Sequence, residues 1–230
     1  MGALTPLQLA AYAVPYKERP ADLPMAGRQQ VRITAGNGTV TLPAIEVRRR
    51  AARIGYTVAV GKEVPDIRLV SVCFCNLPRR SPLFGNGTPP AAAADYRTGY
   101  YADIPLSAAA RYSGTAYLPE NLQGEVASIV SQQDKNRDNA PEHATYLLLR
   151  AVRGSKVLDY TVYLGENNTS NFDVRGNTSH TLDITILGDN EVDTRVHGYT
   201  LSVWDDLEED ACGGYCPVCL LYTSDAADDL

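Results

Sequence analysis

Ile54, Tyr56, Val58 and Val60 alternate with Gly55, Thr57 and Ala59, a period of two that marks a strand with one buried face. The same alternation runs through Val31 and Ile33, and resumes at Val40 and Leu42 after the Asn-Gly turn of "GNGT" at 36–39, which predicts a hairpin. Ile45 and Val47 have the opposite parity to the row that starts at Ile54. A bulge or break near Arg50 to Ala52 must therefore reset the register, because a slip of one residue turns every side chain to the other face. "IRLVSVCFCNL" at 67–77 is apolar on both faces, as a central strand requires.

After Asn76 the alternation disappears for most of seventy residues rich in Pro, Gly and Ala, within which "AAAADY" and "LSAAARY" predict short helices. A connection of that length suggests a long irregular insertion with a functional or mobile character. Strand patterning returns at "TAYL" (115–118), "ATYLLLRAV" (144–152), "DYTVYLG" (159–165), "HTLDITIL" (180–187) and "YTLSVW" (199–204). In "HTLDITIL", Leu182, Ile184 and Ile186 face one way, and Thr181, Asp183 and Thr185 the other. About nine such segments and no long amphipathic helix predict an all-β sandwich, with a closed barrel as the alternative.

The 230 residues can bury a substantial core, and no apolar run approaches the roughly 20 residues of a spanning helix. A net charge of −6 gives no global attraction to nucleic acid or anionic lipid. Arg48, Arg49, Arg50 and Arg53 form one basic cluster. Without interleaved aromatic residues it reads as a solvated strand entry rather than a nucleic-acid or lipid patch.

Cys73 and Cys75 share one strand face and read as small apolar core residues, since neighbours at that spacing rarely form a relaxed disulfide. Cys212, Cys216 and Cys219 lack the fourth ligand of a structural zinc site. "DKNRDN" puts Asp134, Asn136 and Asp138 in the first positions of a calcium loop. Asn139 replaces its glycine and Thr145 its closing glutamate, so no metal is expected. "GDNEVD" at 188–193 reads first as a turn.

The nucleophile-elbow, P-loop and paired-His zinc motifs are absent. His143, His180 and His197 stand singly and read as surface or strand-end residues. No catalytic, metal-binding or cofactor-binding residue is therefore assigned, and an enzyme is not expected. The Asn-x-Ser/Thr sequons at Asn37, Asn86, Asn167, Asn168 and Asn177 would matter in a eukaryotic secretory protein, and two coincide with Asn-Gly turns. The candidate contact residues are Tyr96, Tyr100, Tyr101 and Tyr112 of the long connection. Aromatic side chains on a polar loop can stack on sugar or anchor a partner; the competing reading is that they pin the loop to the sandwich.

"TAYLPENLQGE", "DKNRDNAPEHATYLLLRA" and "YTVYLGENNTSNFDVRGNTSHTLDITILGDNEVDTRV" follow one another through the second half of the chain. Together they resemble the Bacteroidales fimbrillin-like proteins of type V pili, in particular an uncharacterised accessory group. "LPMAG" at 23–27 and "IEVRRRAARIGYTVAV" at 45–60 are similar to first-half segments of that family, so the resemblance spans about 23–204. It implies a transthyretin-like, Greek-key β-sandwich, exported as a lipoprotein and displayed on the outer surface, with subunits joined when a strand of one fills a groove in the next. The implied partners are other fimbrial subunits, and host or bacterial surface glycan or protein, without nucleic acid.

The corresponding domain reading takes 1–27 as a remnant or linker from a preceding domain, 28–210 as the sandwich and 211–230 as an irregular tail. "MGALTPLQLAAYAVPYKERP" has no basic and apolar leader, which the resemblance explains by a gene product starting upstream of Met1. "CLLYTSDAADDL" at 219–230 resembles translated sequencing adapter and is set aside from the fold. The expected function is a structural or adhesive fimbrial subunit. The alternatives are a monomeric surface lipoprotein that binds glycan through the Tyr-bearing loop and, last, a hydrolase with a dispersed site. "GENNTSNFDVRGNTS" reads as a connection whose polar side chains satisfy loop backbone groups, with Phe172 and Val174 returning the chain to the sheet.

Overall fold

A computed structural model describes residues 12–29, 41, 44–84, 87–189 and 196–200, the last segment by its backbone alone. The predicted hairpin at 31–42, Asn37, Asn86, the end of "YTLSVW", the three C-terminal cysteines and the 211–230 tail, with its adapter-like 219–230, lie outside the described residues.

The strands are β1 (Ala13–Pro15), β2 (Met25–Ala26), β3 (Arg48–Arg49), β4 (Ala51–Val60), β5 (Ile67–Pro78), β6 (Arg80–Pro82) and β7 (Tyr96–Asp103). They continue with β8 (Arg111–Pro119), β9 (Asn121–Glu125), β10 (Tyr146–Arg153), β11 (Lys156–Tyr163), β12 (Asn171–Val174), β13 (Ser179–Ile186) and β14 (Val196–Thr200). The only helical elements among the described residues are three single 3-10 turns. Two of them, Ala93–Asp95 and Leu106–Ala108, fall where the Ala-rich segments predict short helices.

A five-stranded sheet in the order β14-β11-β10-β5-β7 packs on a three-stranded sheet in the order β13-β4-β8. The result is a β-sandwich. Ile54, Tyr56 and Val58 of β4 and Ala116 and Leu118 of β8 meet Leu69, Val72, Phe74 and Leu77 of β5, Leu147 and Leu149 of β10, and Leu158 of β11. Each is almost fully buried, as alternating positions on two facing inner surfaces must be.

The predicted register break is the bend at Arg50, between β3, which pairs with β2, and β4, which joins the sandwich. Ile186 is buried, and Leu182 and Ile184 pack half-buried against the core, so the predicted apolar face of β13 is the inner one. β13 pairs with β4 in parallel, Ser179 beside Arg53 and Ile186 beside Val60, while β4 and β8 are antiparallel.

The stretch after Asn76 is more ordered than its composition suggests. It supplies β7, an edge of the large sheet, and the whole of β8, an edge of the small one; the irregular part narrows to 126–145. That loop is stapled by Lys135, whose buried Nζ donates to the carbonyls of Asn167 at 2.7 Å and Asn171 at 2.6 Å and lies 5.0 Å over the Phe172 ring. Phe172 packs with Ile129 and Ala144, and Val174 joins the main core. β12, which carries both, pairs with β9 in a small sheet of its own. Within the connecting loop the Asn167 amide oxygen accepts the N–H groups of Thr169 and Asn171. That of Asn171 accepts those of Glu166 and Asp173, the local satisfaction the polar sequence implies.

Candidate functional site

The small sheet has two edges, and they differ. Val60 N–H donates to Ala110 C=O and Glu120 N–H to Arg50 C=O, which fixes the antiparallel phase so that even-numbered residues of β8 bond to β4. Arg111, Ser113, Thr115 and Tyr117 therefore turn their backbone groups outward. The close pairing of Thr57 Oγ1 with Ser113 Oγ at 3.1 Å fits this phase, because side chains approach most closely across non-hydrogen-bonded pairs.

The β8 edge is capped. Tyr16 and Tyr100 both donate their hydroxyls to the outward carbonyl of Tyr117. Tyr16 is carried there by a strap in which β1 pairs with β6 and Tyr16 N–H donates to Arg79 C=O at 2.9 Å. Burial pushes the Tyr16 phenol far above its usual range, and the neighbouring Tyr100 hydroxyl adds to the shift. Glu18, two residues on, accepts from Arg97 at 2.5 Å and from the N–H of Tyr100 at 3.0 Å.

Tyr100 needs that support. Its φ of +53° is unfavourable for a bulky residue, and it lies where the β5–β7 register shifts. The bulge turns the ring inward, edge-on to Phe74 with 6.3 Å between centroids.

Among the described residues the β13 edge is open. Arg53 N–H donates to Thr178 C=O and Gly61 N–H to Ile186 C=O, so even-numbered residues of β13 bond to β4. Thr181, Asp183 and Thr185 consequently point N–H and C=O away from the sheet, and no strand among the described residues pairs with that side. Beneath the edge lie Leu182 and Ile184, half-buried. Past its end, Arg153 holds Asp189 at 2.8 Å, and the Tyr160 hydroxyl donates to Gly188 C=O at 2.9 Å.

The four tyrosines singled out from the sequence are spread over both faces of the large sheet and the sandwich interior. Tyr96 is buried, donates to Pro90 C=O at 2.8 Å and stacks on His143 at 4.6 Å. Tyr100 and Tyr112 pack against the main core. Tyr101 lies against Cys73 and Cys75 on the outer face, its hydroxyl donating to Asp103 at 2.6 Å. Tyr16, Glu18, Arg97 and Tyr117, which build the capped edge, carry no sequence signal that singles them out.

Among the basic cluster, Arg48 pairs with Glu46 at 3.1 Å and Arg50 with Glu120 at 3.1 Å, while Arg53 is exposed beside Ser179. Asn136 Oδ1 accepts the N–H groups of Asp138 and Asn139, and Asp134 accepts from Ser131 Oγ, so "DKNRDN" is folded around its own turns. No three metal-ligating side chains converge among the described residues. His180 is half-buried beside Thr178 Oγ1, and burial lowers its pKa; His197 belongs to β14, where only the backbone is described.

The chain is thus a β-sandwich whose smaller sheet, among the described residues, has one capped and one open edge. Residues 116–184, from the end of β8 through most of β13, match the family model described as "Domain of unknown function (DUF4906)". Among solved structures the chain is similar to the C-terminally truncated tip fimbrial protein Mfa3 of Porphyromonas gingivalis, at 18% identity and a TM-score of 0.41, covering 74% of this chain and 59% of that one. It is also similar to a candidate cell adhesion protein of Bacteroides fragilis, at 15% identity and a TM-score of 0.37, covering 76% of this chain and 54% of the other. The chain spans less than two thirds of the length of either. No curated protein matches it.

Proposed function

We propose that this chain is a structural or adhesive subunit of a bacterial cell-surface fimbria, and that it assembles by strand complementation. The observation that carries the reading is the outer edge of β13: outward backbone donors and acceptors beside half-buried Leu182 and Ile184. An extended segment of a neighbouring subunit laid along this edge would satisfy those groups and cover the two apolar side chains. Other fimbrial subunits are the partners, and the protein is held at the outer membrane as a lipoprotein.

The phase of the β13–β4 ladder supplies the test. Proline at Asp183 removes an N–H that points away from β4, whereas proline at Leu182 removes one that bonds to it. Asp183→Pro should keep its circular-dichroism spectrum but lose self-assembly seen by size-exclusion chromatography and electron microscopy. Undiminished assembly of Asp183→Pro would overturn the reading. So would a monomeric wild type whose glycan-array binding is lost in a Tyr101→Ala variant that keeps its circular-dichroism spectrum, the outcome that identifies a glycan-binding surface lipoprotein.

A further inference from the structure

Cys73 and Cys75 project from the face of β5 that looks away from the main core, because strand residues two apart share a side. Their sulfurs are 4.0 Å apart. Across the ladder they sit opposite Leu148 and Tyr146 of β10, and Tyr101 and Tyr163 complete an apolar and aromatic wall. Cys75 is 2% exposed and Cys73 7%. From β7, Thr98 Oγ1 points at Cys75 Sγ from 3.8 Å. Both cysteines are thiols rather than a disulfide.

We propose that Cys73 and Cys75 bind a soft monovalent cation of the Cu(I) class, with the Thr98 hydroxyl beside it. An ion bonded at about 2.3 Å to each of two sulfurs can hold them at most ~4.6 Å apart. The 4.0 Å between the Cys73 and Cys75 sulfurs lies within that reach before any ion enters, and the Thr98 hydroxyl, which donates to Cys75 Sγ, would steady the thiolate. The donor set selects among ions. Calcium and magnesium need six or more oxygen ligands, and structural zinc needs four nitrogen or sulfur ligands, whereas thiols prefer soft ions that accept few ligands.

Binding forms two sulfur–metal bonds and breaks two S–H bonds, both protons passing to solvent. The metal keeps its oxidation state. Two thiolates and one monovalent cation leave a single negative charge, toward which the Thr98 hydroxyl donates from 3.8 Å. The inference is independent of the fimbrial reading, since the site lies on the opposite side of the sandwich from the β13 edge.

The test uses the full chain with Cys212, Cys216 and Cys219 changed to serine, so that only the buried pair can bind. Ag(I), which has no accessible redox chemistry here, and Cu(I) held by a selective chelator serve as probes. One equivalent should bind with a thiolate-to-metal absorption band, and melting temperature should rise. Cys73→Ala and Cys75→Ala, checked for folding by circular dichroism, should each weaken binding by roughly tenfold or more, and Thr98→Val by less. Binding no tighter than that of free glutathione, or equal uptake after both cysteines are replaced, would overturn the proposal.

Discussion

Tyr16 and Tyr100 donate their hydroxyls to one acceptor, the carbonyl of Tyr117, and so join the N-terminal strap, the edge of the large sheet and the edge of the small one at a single atom. A carbonyl oxygen has two lone pairs and can take both donors. Tyr16→Phe and Tyr100→Phe should each destabilise the fold by about 0.5–1.5 kcal/mol. The double variant should cost more than the sum, because only then does the carbonyl lose every partner. Urea unfolding of the four proteins measures the coupling, and strict additivity would contradict the shared-acceptor account.

Arg150 and Asp159 face each other in the β10–β11 register and form a two-point ion pair at 2.8 and 2.9 Å, largely buried. Removing one partner strands a buried charge, so Asp159→Asn should cost about 3 kcal/mol. Arg150→Met combined with Asp159→Leu should recover most of that loss. Equal destabilisation of the single and double variants would show that shape rather than stranded charge is at stake.

Gly165 is held against the β12 entry. A Cβ there would sit 1.8 Å from the Asn171 carbonyl oxygen and 2.8 Å from Lys135 Nζ. Gly165→Ala must push the backbone of the 165–171 loop aside, at a cost of about 3 kcal/mol. Hydrogen exchange should report the loss first in 126–145 and 165–174. Unchanged protection there would rule out the close approach.

Burial depresses the Lys135 ammonium to about 8, below the usual lysine range. Below pH 8 both folded and unfolded chains carry the proton, and the cost of burying the charge is present in full. Between there and ~10.4 the unfolded chain holds more protons than the folded one, so stability rises with pH. Tyr56 and Tyr160, pushed up to about 12 by burial, have the opposite sign at higher pH: their contribution is complete below ~10 and is lost through 12. Unfolding free energy measured between about pH 8 and pH 10 should climb for the wild type relative to Lys135→Met. Parallel curves would sink this account.

The alternating strands were legible because each has one wet and one dry face: the β4 row from Ile54 to Val60, and Leu182, Ile184 and Ile186 of β13. β7 was not, because the positive φ of Tyr100 breaks the period of two and sends consecutive tyrosines to different environments. The first half of β8 was hidden by Gly114, a position over which the Tyr56 hydroxyl lies where a Cβ would be. At the β13 edge the apolar row could be read but its openness could not, since an edge is defined by what fails to pair with it. The capped edge depends on contacts between distant residues, Tyr16 with Tyr117 and Glu18 with Arg97, that no local pattern encodes.

β13 lies alongside β4, so the smaller sheet joins one of the first long strands of the described chain to one of the last. During synthesis β4 and β8 can meet early, but their shared layer remains two strands wide until Ile186 has been made. The edge of β4 that pairs with β13 then waits unpaired, and closure demands a contact between remote stretches, which slows folding. A nascent chain in that condition is a natural client for a holdase, and codon or secretion delays between β8 and β13 would lengthen its exposure.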